Sequence, residues 1–312
     1  MNLYSIVSYL FCLSLMAGCC ALHAPSEEHV VIPTLEPKHP VSLALVLGGG
    51  GAKGLAHLGA IEELERAGIR PDLIVGCSSG AIAGALYADE PDLRESVKTL
   101  ISLRKGELLD YAYMNPVFGI VNGESLHNWM KKLLNAKTFE ELKIPLIVVA
   151  TDLLTGDVLE FSSGDLASSV HASCAVPGIF KPVFLYGRYC IDGGAAAPIP
   201  VEIAKKYGAS KVIAIDLSER LSQESPKHLF SVTARSLEIA YRKFIEQSLA
   251  QADLAIRMNF DDLGATFRDD LNEWLYEQGR LVIQEHLPTI RALLEEDVPP
   301  PMITPPQEIC DT

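Results

Sequence analysis

Short apolar runs alternate with segments of helical spacing along most of this chain. The runs at 41–47 and 73–77 are almost continuously apolar, which is typical of strands buried on both faces of a sheet. The same reasoning predicts further strands at 145–151, 188–191 and 211–217, and helices at 55–67, 81–86 and 201–207. Because strands and helices alternate, we expect an α/β fold with a mostly parallel central sheet and helices on both faces.

The pattern changes near residue 220. Long helical patterns at 229–250 and 271–294 come before a Pro-rich tail, and we interpret residues 219–312 as a helical extension, with its tail, that completes the core. Residues 41–218 form the predicted α/β domain. Within it, residues 105–121 are rich in Tyr, Met, Phe and Gly with little helical period. They are either a loop over a pocket or a packed connection.

Composition excludes some classes of function. The chain has 312 residues, of which 48% are hydrophobic, so a large core can form. The net charge of -14 argues against a nucleic-acid partner, and no polybasic patch for anionic lipid is present.

Seven Cys occur without a CxxC pair or zinc spacing, and no feature requires a metal or cofactor. Cys77, Cys174 and Cys190 lie in apolar or Gly-rich contexts and are predicted to be buried. The sequence does not indicate an oligomeric state.

A glycine-rich turn follows the first predicted strand. Gly48-Gly49-Gly50-Gly51-Ala52-Lys53-Gly54 leads from that strand into the first helix, so backbone N–H groups at the turn can hold an anion. Two chemistries use such a turn, dinucleotide binding and an oxyanion hole for acyl transfer. A dinucleotide site also needs an acid at the end of the second strand, whereas Asp72 comes before that strand. This favours the oxyanion hole.

The second strand runs directly into a nucleophile-elbow motif. Gly76-Cys77-Ser78-Ser79-Gly80 matches GxSxG, followed by a helix of small residues. A Ser in such a turn has unfavourable backbone angles, and Gly76 and Gly80 avoid clashes across it. The alternative is a Gly-rich turn that only packs. We interpret Ser78 as a nucleophile.

Ser78 needs a base, and the sequence offers an Asp in a better context than any His. The later histidines do not lie in glycine- or turn-rich motifs after a strand, and His57 falls in the first helix, where a structural role is favoured. Asp192 follows a strand and precedes Gly193-Gly194, which would hold it rigidly. A carboxylate in contact with the Ser hydroxyl in a dry pocket gains basicity. The alternative for Asp192 is an acid that caps a turn.

These three motifs, in this order, resemble the patatin-like phospholipase family, including its bacterial members and the neuropathy target esterase group. The resemblance covers roughly residues 43–217 and implies a three-layer α/β fold with a Ser-Asp dyad and no histidine. It makes Ser78 the nucleophile and Asp192 the base. Gly49, Gly50 and Gly51 become the oxyanion loop, and the motif glycines are Gly54, Gly76, Gly80, Gly193 and Gly194. Residues 172–180 also look like the family and would pack close to the site. Lys53 stands where many members have Arg, which suggests a structural cation.

The N-terminal segment predicts export. An apolar run at 6–17 has signal-peptide length and ends in Leu15-Met16-Ala17-Gly18-Cys19, which resembles a bacterial lipobox. We expect a signal peptide at 1–18, a lipidated Cys19 and a Pro-containing tether at 19–40. This would anchor the protein on a membrane in the cell envelope, on the outer-membrane or periplasmic side. A plain cleaved signal, or an uncleaved anchor at 3–22, remains an alternative.

Three functions fit this sequence. The leading hypothesis is an exported lipid acyl-hydrolase that acts on phospholipid or lysophospholipid. The second is a non-lipid esterase or thioesterase on the same scaffold. The third is a catalytically silent binding or scaffold protein, against which an intact Ser78, Asp192 and glycine loop argue.

Overall fold

The computed structural model describes residues 34, 39–111, 118–221, 225–260 and 268–295. The predicted signal peptide, Cys19, most of the tether and the Pro-rich tail lie outside these residues. The strands are β1 (Leu43–Leu47), β2 (Leu73–Cys77), β3 (Gly119–Val121), β4 (Leu146–Asp152), β5 (Val158–Phe161), β6 (Gly178–Phe180), β7 (Val183–Leu185), β8 (Arg188–Asp192), β9 (Lys211–Asp216) and β10 (Leu254–Arg257). The helices are α1 (Leu55–Arg66), α2 (Ser79–Asp89), α3 (Arg94–Ser102), α4 (Lys105–Leu108), α5 (Glu124–Leu133), α6 (Leu166–Ser173), α7 (Val201–Lys206), α8 (Leu229–Leu249) and α9 (Asn272–Glu295).

One large sheet runs through the middle of the protein. Its strand order is β10-β9-β1-β2-β4-β8-β7, with β5 paired to β4 on the side opposite β2. The five strands from β10 to β4 are parallel to their neighbours, whereas β5, β8 and β7 pair in antiparallel fashion. The predicted mostly parallel sheet is confirmed. A second, two-stranded parallel sheet joins β3 to β6.

The two faces of the sheet bury separate hydrophobic cores. Successive side chains of a strand point to opposite faces, so Leu45 of β1 enters one core and Ala44 enters the other. The first core holds the apolar residues of α1, α2, α5, α6 and α9. The second holds those of α7 and the end of α8, including Ile245 and Leu249. This arrangement confirms the predicted three layers, with helices on both faces of the sheet.

The pairing of β4 changes partner at its middle. Val149 pairs with Cys77 of β2, and the next residue, Ala150, pairs with Asp192 of β8. Both partners lie on the same side of β4, because β5 pairs with Val149 and Ala150 from the other side. The last residue of β2 therefore meets the last residue of β8 end to end. Ser78, which follows Cys77 directly, is placed beside Asp192.

The C-terminal segment is helical, as the sequence predicts, but it also supplies an edge strand. β10 extends the sheet beside β9, and the sequence pattern gave no sign of it. α9 lies along α1 with glycines at the crossing. A methyl group on Gly279 would lie 2.0 Å from the Ala56 carbonyl oxygen, and one on Gly59 would lie 1.9 Å from the Tyr276 carbonyl oxygen. The two helix backbones are therefore in direct contact.

Residues 105–121 are described only in part. They begin as the short helix α4 and end in β3, which pairs with β6. Residues 112–117 lie outside the described part, so the choice between a loop over the pocket and a packed connection stays open. Among the described helices, none combines the length and apolar character needed to cross a bilayer.

We expect Gly279→Ala to destabilise the fold, because the added methyl group cannot fit against the α1 backbone without separating the helices. Overpacking of this kind typically costs about 1–3 kcal/mol. Urea denaturation followed by circular dichroism measures it. Gly106→Ala is the control, since a methyl group at Gly106 meets no atom within 4 Å. Equal denaturation midpoints for Gly279→Ala and the parent would contradict the close helix crossing.

Candidate active site

Ser78 lies in a strained turn between β2 and α2. Its backbone angles are φ 54° and ψ −123°, a combination that non-glycine residues seldom adopt. Ser78 is the N-cap residue of α2, yet its hydroxyl makes no capping bond. The elbow therefore presents the hydroxyl to a group outside the helix, and the fold holds a strained backbone in order to do so.

Two motif glycines allow this turn to pack tightly. A methyl group on Gly80 would lie 2.2 Å from the Leu47 carbonyl oxygen, and one on Gly76 would lie 2.7 Å from the Gly80 carbonyl oxygen. Since both neighbours are backbone atoms, neither can give way. The GxSxG spacing thus reflects close contact between β1, β2 and the start of α2.

The hydroxyl of Ser78 donates a hydrogen bond to Asp192. The Ser78 Oγ to Asp192 Oδ2 distance is 2.6 Å, and both residues are buried. The backbone N–H of Gly194 donates to the other carboxylate oxygen of Asp192 at 2.7 Å, and the Thr151 hydroxyl donates to the Asp192 carbonyl at 3.0 Å. The structure therefore brings together the two residues that the sequence singled out, 114 positions apart.

The environment of Asp192 makes it a stronger base than an ordinary carboxylate. Burial raises its pKa to about 6, and the hydrogen bonds from Ser78 and Gly194 oppose that rise. At neutral pH the carboxylate is still mostly ionised. A buried carboxylate that holds the proton of a serine hydroxyl can withdraw that proton as the oxygen attacks an electrophile.

Residues 172–180, predicted to pack near the site, hold the backbones of both residues. The hydroxyl of Ser173 accepts a hydrogen bond from the Ser78 N–H at 2.9 Å and donates one to the Val149 carbonyl at 2.6 Å. Two residues later, the Ala175 carbonyl accepts a hydrogen bond from the Asp192 N–H at 2.9 Å. The sequence predicted the position of residues 172–180 but no role for Ser173. The small, turn-forming residues of this segment were the only sequence signal for its place near the site.

The glycine loop lies beside the elbow, with its first part fixed to the sheet. The N–H of Gly49 donates to the Pro198 carbonyl at 3.0 Å, so it is already engaged. His57, fully buried, contacts the Gly48 carbonyl through Nε2 at 2.8 Å. Within the described residues, the N–H groups of Gly50 and Gly51 have no such acceptor. Of the three glycines assigned to the oxyanion loop, these two keep N–H groups that can bind an incoming anion.

An ion pair fixes the far end of the glycine loop. The buried Lys53 Nζ lies 2.8 Å from a carboxylate oxygen of Glu219, just after β9. This matches the structural role suggested for Lys53. The remaining motif glycines sit at the same junctions: Gly54 against Ser79, and Gly193 against the Val149 carbonyl.

Tyr241 of α8 reaches the site from the C-terminal segment, and the sequence did not single it out. A methyl group on Gly194 would lie 3.4 Å from the Tyr241 hydroxyl, and one on Gly49 would lie 3.7 Å from it. The residue keeps 37% of its surface exposed. Its hydroxyl end is buried against the site, and this burial raises its pKa well above the usual value. The hydroxyl therefore stays protonated beside the glycine loop.

No histidine is a hydrogen-bond partner of Ser78 within the described residues. His127 and His171 stack on each other, with ring centroids 5.7 Å apart. Burial lowers the pKa of His57 and of His171 to about 4, so both are neutral at neutral pH. The three predicted core cysteines are buried and free. Among the described residues, no group of three or more His, Cys, Asp or Glu side chains could hold a metal ion.

A family model for patatin-like phospholipases matches residues 45–205, just over half of this 312-residue chain. The chain belongs to the patatin-like phospholipase family. The matched range runs from β1 to the end of α7, and so contains the glycine loop, the elbow and Asp192.

Relatives share this region and differ in what surrounds it. The chain is 35% identical over 188 residues to patatin-like phospholipase domain-containing protein 6 of Mus musculus, covering 57% of this chain and 14% of that protein. It is 34% identical over 178 residues to an uncharacterized NTE family protein of Mycobacterium tuberculosis (strain ATCC 25618 / H37Rv), covering 56% and 49%. The chain thus spans half or less of the length of these relatives.

The fold of this patatin-like chain also occurs in a bacterial protein of known structure. The crystal structure of VipD from Legionella pneumophila matches with a TM-score of 0.52 and 18% identity, covering 90% of this chain and 73% of that one. At this identity the match supports the fold alone.

We expect Ser173→Ala to slow the reaction of Ser78 with a serine-directed fluorophosphonate probe by about tenfold, because the elbow loses the acceptor for its N–H. Gel fluorescence against time gives the labelling rate. Ser169→Ala is the matched control: Ser169 is equally buried in α6, but its hydroxyl bonds only to the Asp165 carbonyl. If both variants label at the parent rate, Ser173 does not position the nucleophile.

Proposed function

We propose that this protein is a serine acyl-hydrolase that cleaves ester bonds of phospholipids or lysophospholipids. Ser78 is the nucleophile and Asp192 is its base. The observation that carries the proposal is the 2.6 Å hydrogen bond from the strained, buried Ser78 hydroxyl to Asp192. Membership in the patatin-like phospholipase family supports the class of substrate.

The first half of the reaction uses Asp192 as a base. Asp192 accepts the Ser78 proton while Oγ attacks the ester carbonyl and forms a tetrahedral intermediate. The N–H groups of Gly50 and Gly51 are the donors assigned to the developing oxyanion, and one such donor is worth about 10²–10³ in turnover. Gly49 contributes loop geometry, since its own N–H binds Pro198. Collapse of the intermediate breaks the ester bond, and Asp192 returns the proton to the departing alcohol.

The second half releases the acyl group. A water molecule gives its proton to Asp192 and attacks the acyl-Ser78 ester, and a second oxyanion forms in the same loop. When the intermediate collapses, Ser78 regains its proton from Asp192 and the fatty acid leaves. A single carboxylate can serve both halves because its pKa of about 6 lets it accept and return a proton near neutral pH.

A non-lipid esterase or thioesterase would use the same dyad and loop. Turnover of long-chain phospholipid, lysophospholipid, short p-nitrophenyl esters and an acyl thioester separates these possibilities. Preference for the short ester or the thioester over both lipids would favour the second function. The lipidated Cys19 and the location in the cell envelope remain proposals, since they concern residues outside the described part.

Asp192→Asn should lower kcat on a soluble p-nitrophenyl ester by about 10²–10⁴-fold, because the amide keeps the shape but cannot accept a proton. Ser78→Ala should abolish turnover, because it removes the nucleophile. Asp165→Asn is the control, since Asp165 caps α6 and Asn caps equally well. An active Asp192→Asn enzyme, together with normal Asp165→Asn turnover, would rule out the dyad. Circular dichroism checks that each variant is folded.

The pH dependence follows from the raised pKa of Asp192. The base works when deprotonated, so kcat/KM rises with pH through about 6 and then levels off. At pH 5 it should be about tenfold below the plateau. His57 and His171, with pKa values of about 4, add no step between pH 5 and 8. A profile on the soluble ester that is flat from pH 5 to 8 would contradict the role of Asp192.

A further inference from the structure

Most of the large apolar side chains described in the first part of α8 lie on the outside. Besides Tyr241, five are exposed, at 75% for Leu229, 51% for Val232, 68% for Leu237, 42% for Ile239 and 49% for Phe244. At 100° per residue they occupy an arc of about 160°. A helix on a soluble surface normally turns such an arc toward the core. Among the described side chains of α8, the buried ones in the core are Ile245 and Leu249, near the end of the helix.

Arg235, Glu238 and Arg242 of α8 lie on the other side of the helix. Arg242 donates hydrogen bonds to the Ser218 hydroxyl at 2.9 Å and to the Glu219 carbonyl. Arg235 pairs with Glu238 at 2.9 Å, and both are partly covered. Arg242 thus ties this side of the helix to the segment after β9, whereas the Arg235–Glu238 pair lies within α8. The apolar arc faces away from these contacts, and packing among the described residues does not account for it.

This arc lies next to the candidate active site. Leu237, Tyr241 and Phe244 fall at positions i, i+4 and i+7, so they form one stripe along α8. The Tyr241 hydroxyl lies beside Gly49 and Gly194, as described above. The stripe therefore leads from the exposed arc to the residues around Ser78. A partner that covers the arc would lie beside the candidate active site.

The charge of the arc favours a lipid surface. α8 contains two acids, and neither presents an unpaired charge within the arc. Glu238 lies on the opposite side, and Glu246, at the edge of the arc next to Ile239, pairs with Arg257. The one charged residue inside the arc is Lys243. An apolar face with one cation suits the phosphate groups and acyl chains of a phospholipid layer.

We propose that the outer arc of α8, formed by Leu229, Val232, Leu237, Ile239 and Phe244, docks on the surface of a phospholipid bilayer. The substrate then reaches Ser78 along the stripe through Tyr241. This inference rests on the proposed function, because it assumes that the site acts on lipids. It gives the C-terminal segment a part in substrate delivery as well as in packing.

Bromolipid quenching of single added tryptophans tests which face meets the bilayer in the full-length chain. Ile239→Trp reports on the arc, and Leu281→Trp, at a 47% exposed position on α9, is the control. With vesicles of dibrominated phosphatidylcholine, we expect the emission added at position 239 to shift to the blue and to be quenched, and that at 281 to stay unchanged. An N-terminal anchor holds both proteins equally, so it does not produce this difference. Equal quenching at both positions, or none at 239, overturns the proposal.

Two further measurements test whether a second copy of the chain occupies the arc and whether docking affects hydrolysis. A blue shift at position 239 that grows with protein concentration in the absence of lipid would assign the arc to a second copy.

The enzymatic test uses the triple variant Leu229→Gln/Val232→Gln/Ile239→Gln, whose substituted positions lie off the Tyr241 stripe. It should hydrolyse vesicle phosphatidylcholine at least about tenfold more slowly than the parent. Its rate on a soluble p-nitrophenyl ester should be unchanged, as should both rates of Leu281→Gln. An unchanged vesicle rate overturns docking. If the parent protein hydrolyses no ester, the proposed function is contradicted. The quenching experiment then decides by itself whether the arc docks on lipid.

Discussion

Strand β4 pairs with β2 through Val149 and with β8 from Ala150 onward, and this change of partner at adjacent residues brings two distant segments together. The register of a buried strand is strongly specified, because a one-residue slip would turn all its side chains to the opposite face. The position of Ser78 relative to Asp192 therefore follows from the pairing of β4 with β2 and β8. The hydroxyl of Ser173 strengthens the same junction, since it bonds to β4 at Val149 and to the elbow at Ser78. A one-residue slip of β8 would separate the dyad.

The segment after β9 completes the site as well as the core. Glu219 holds the loop cation Lys53, and α8 places Tyr241 beside the glycines. On the other face of the sheet, α9 lies against α1, the helix that follows the glycine loop and contains His57. The elements that surround the loop therefore come from both ends of the described chain. Residues 41–218 contain the whole family match at 45–205 but lack both Glu219 and Tyr241. The match therefore does not imply that they would be active alone.

Local sequence signals were enough for the elements and the motifs, because each depends on neighbouring residues. The strand at 73–77 is found at its predicted bounds, and the elbow could be located from the spacing of Gly76, Ser78 and Gly80. Contacts between remote segments were not predictable in this way. No local pattern distinguishes Ser173 from other helix serines or shows that the Gly49 N–H is engaged by Pro198. β10 escaped notice because four residues at a sheet edge carry little pattern.

The backbone of Ser78 links catalytic competence to a loss of conformational stability. A residue with φ 54° and ψ −123° carries strain of about 1–3 kcal/mol, which the packing around the elbow has to offset. Glycine would relieve that strain and would also remove the hydroxyl. Selection for stability alone would thus favour Gly at this position, and in the proposed mechanism that change would remove the nucleophile. The fixed register around β4 keeps the elbow rigid, and this rigidity holds Ser78 in its strained conformation.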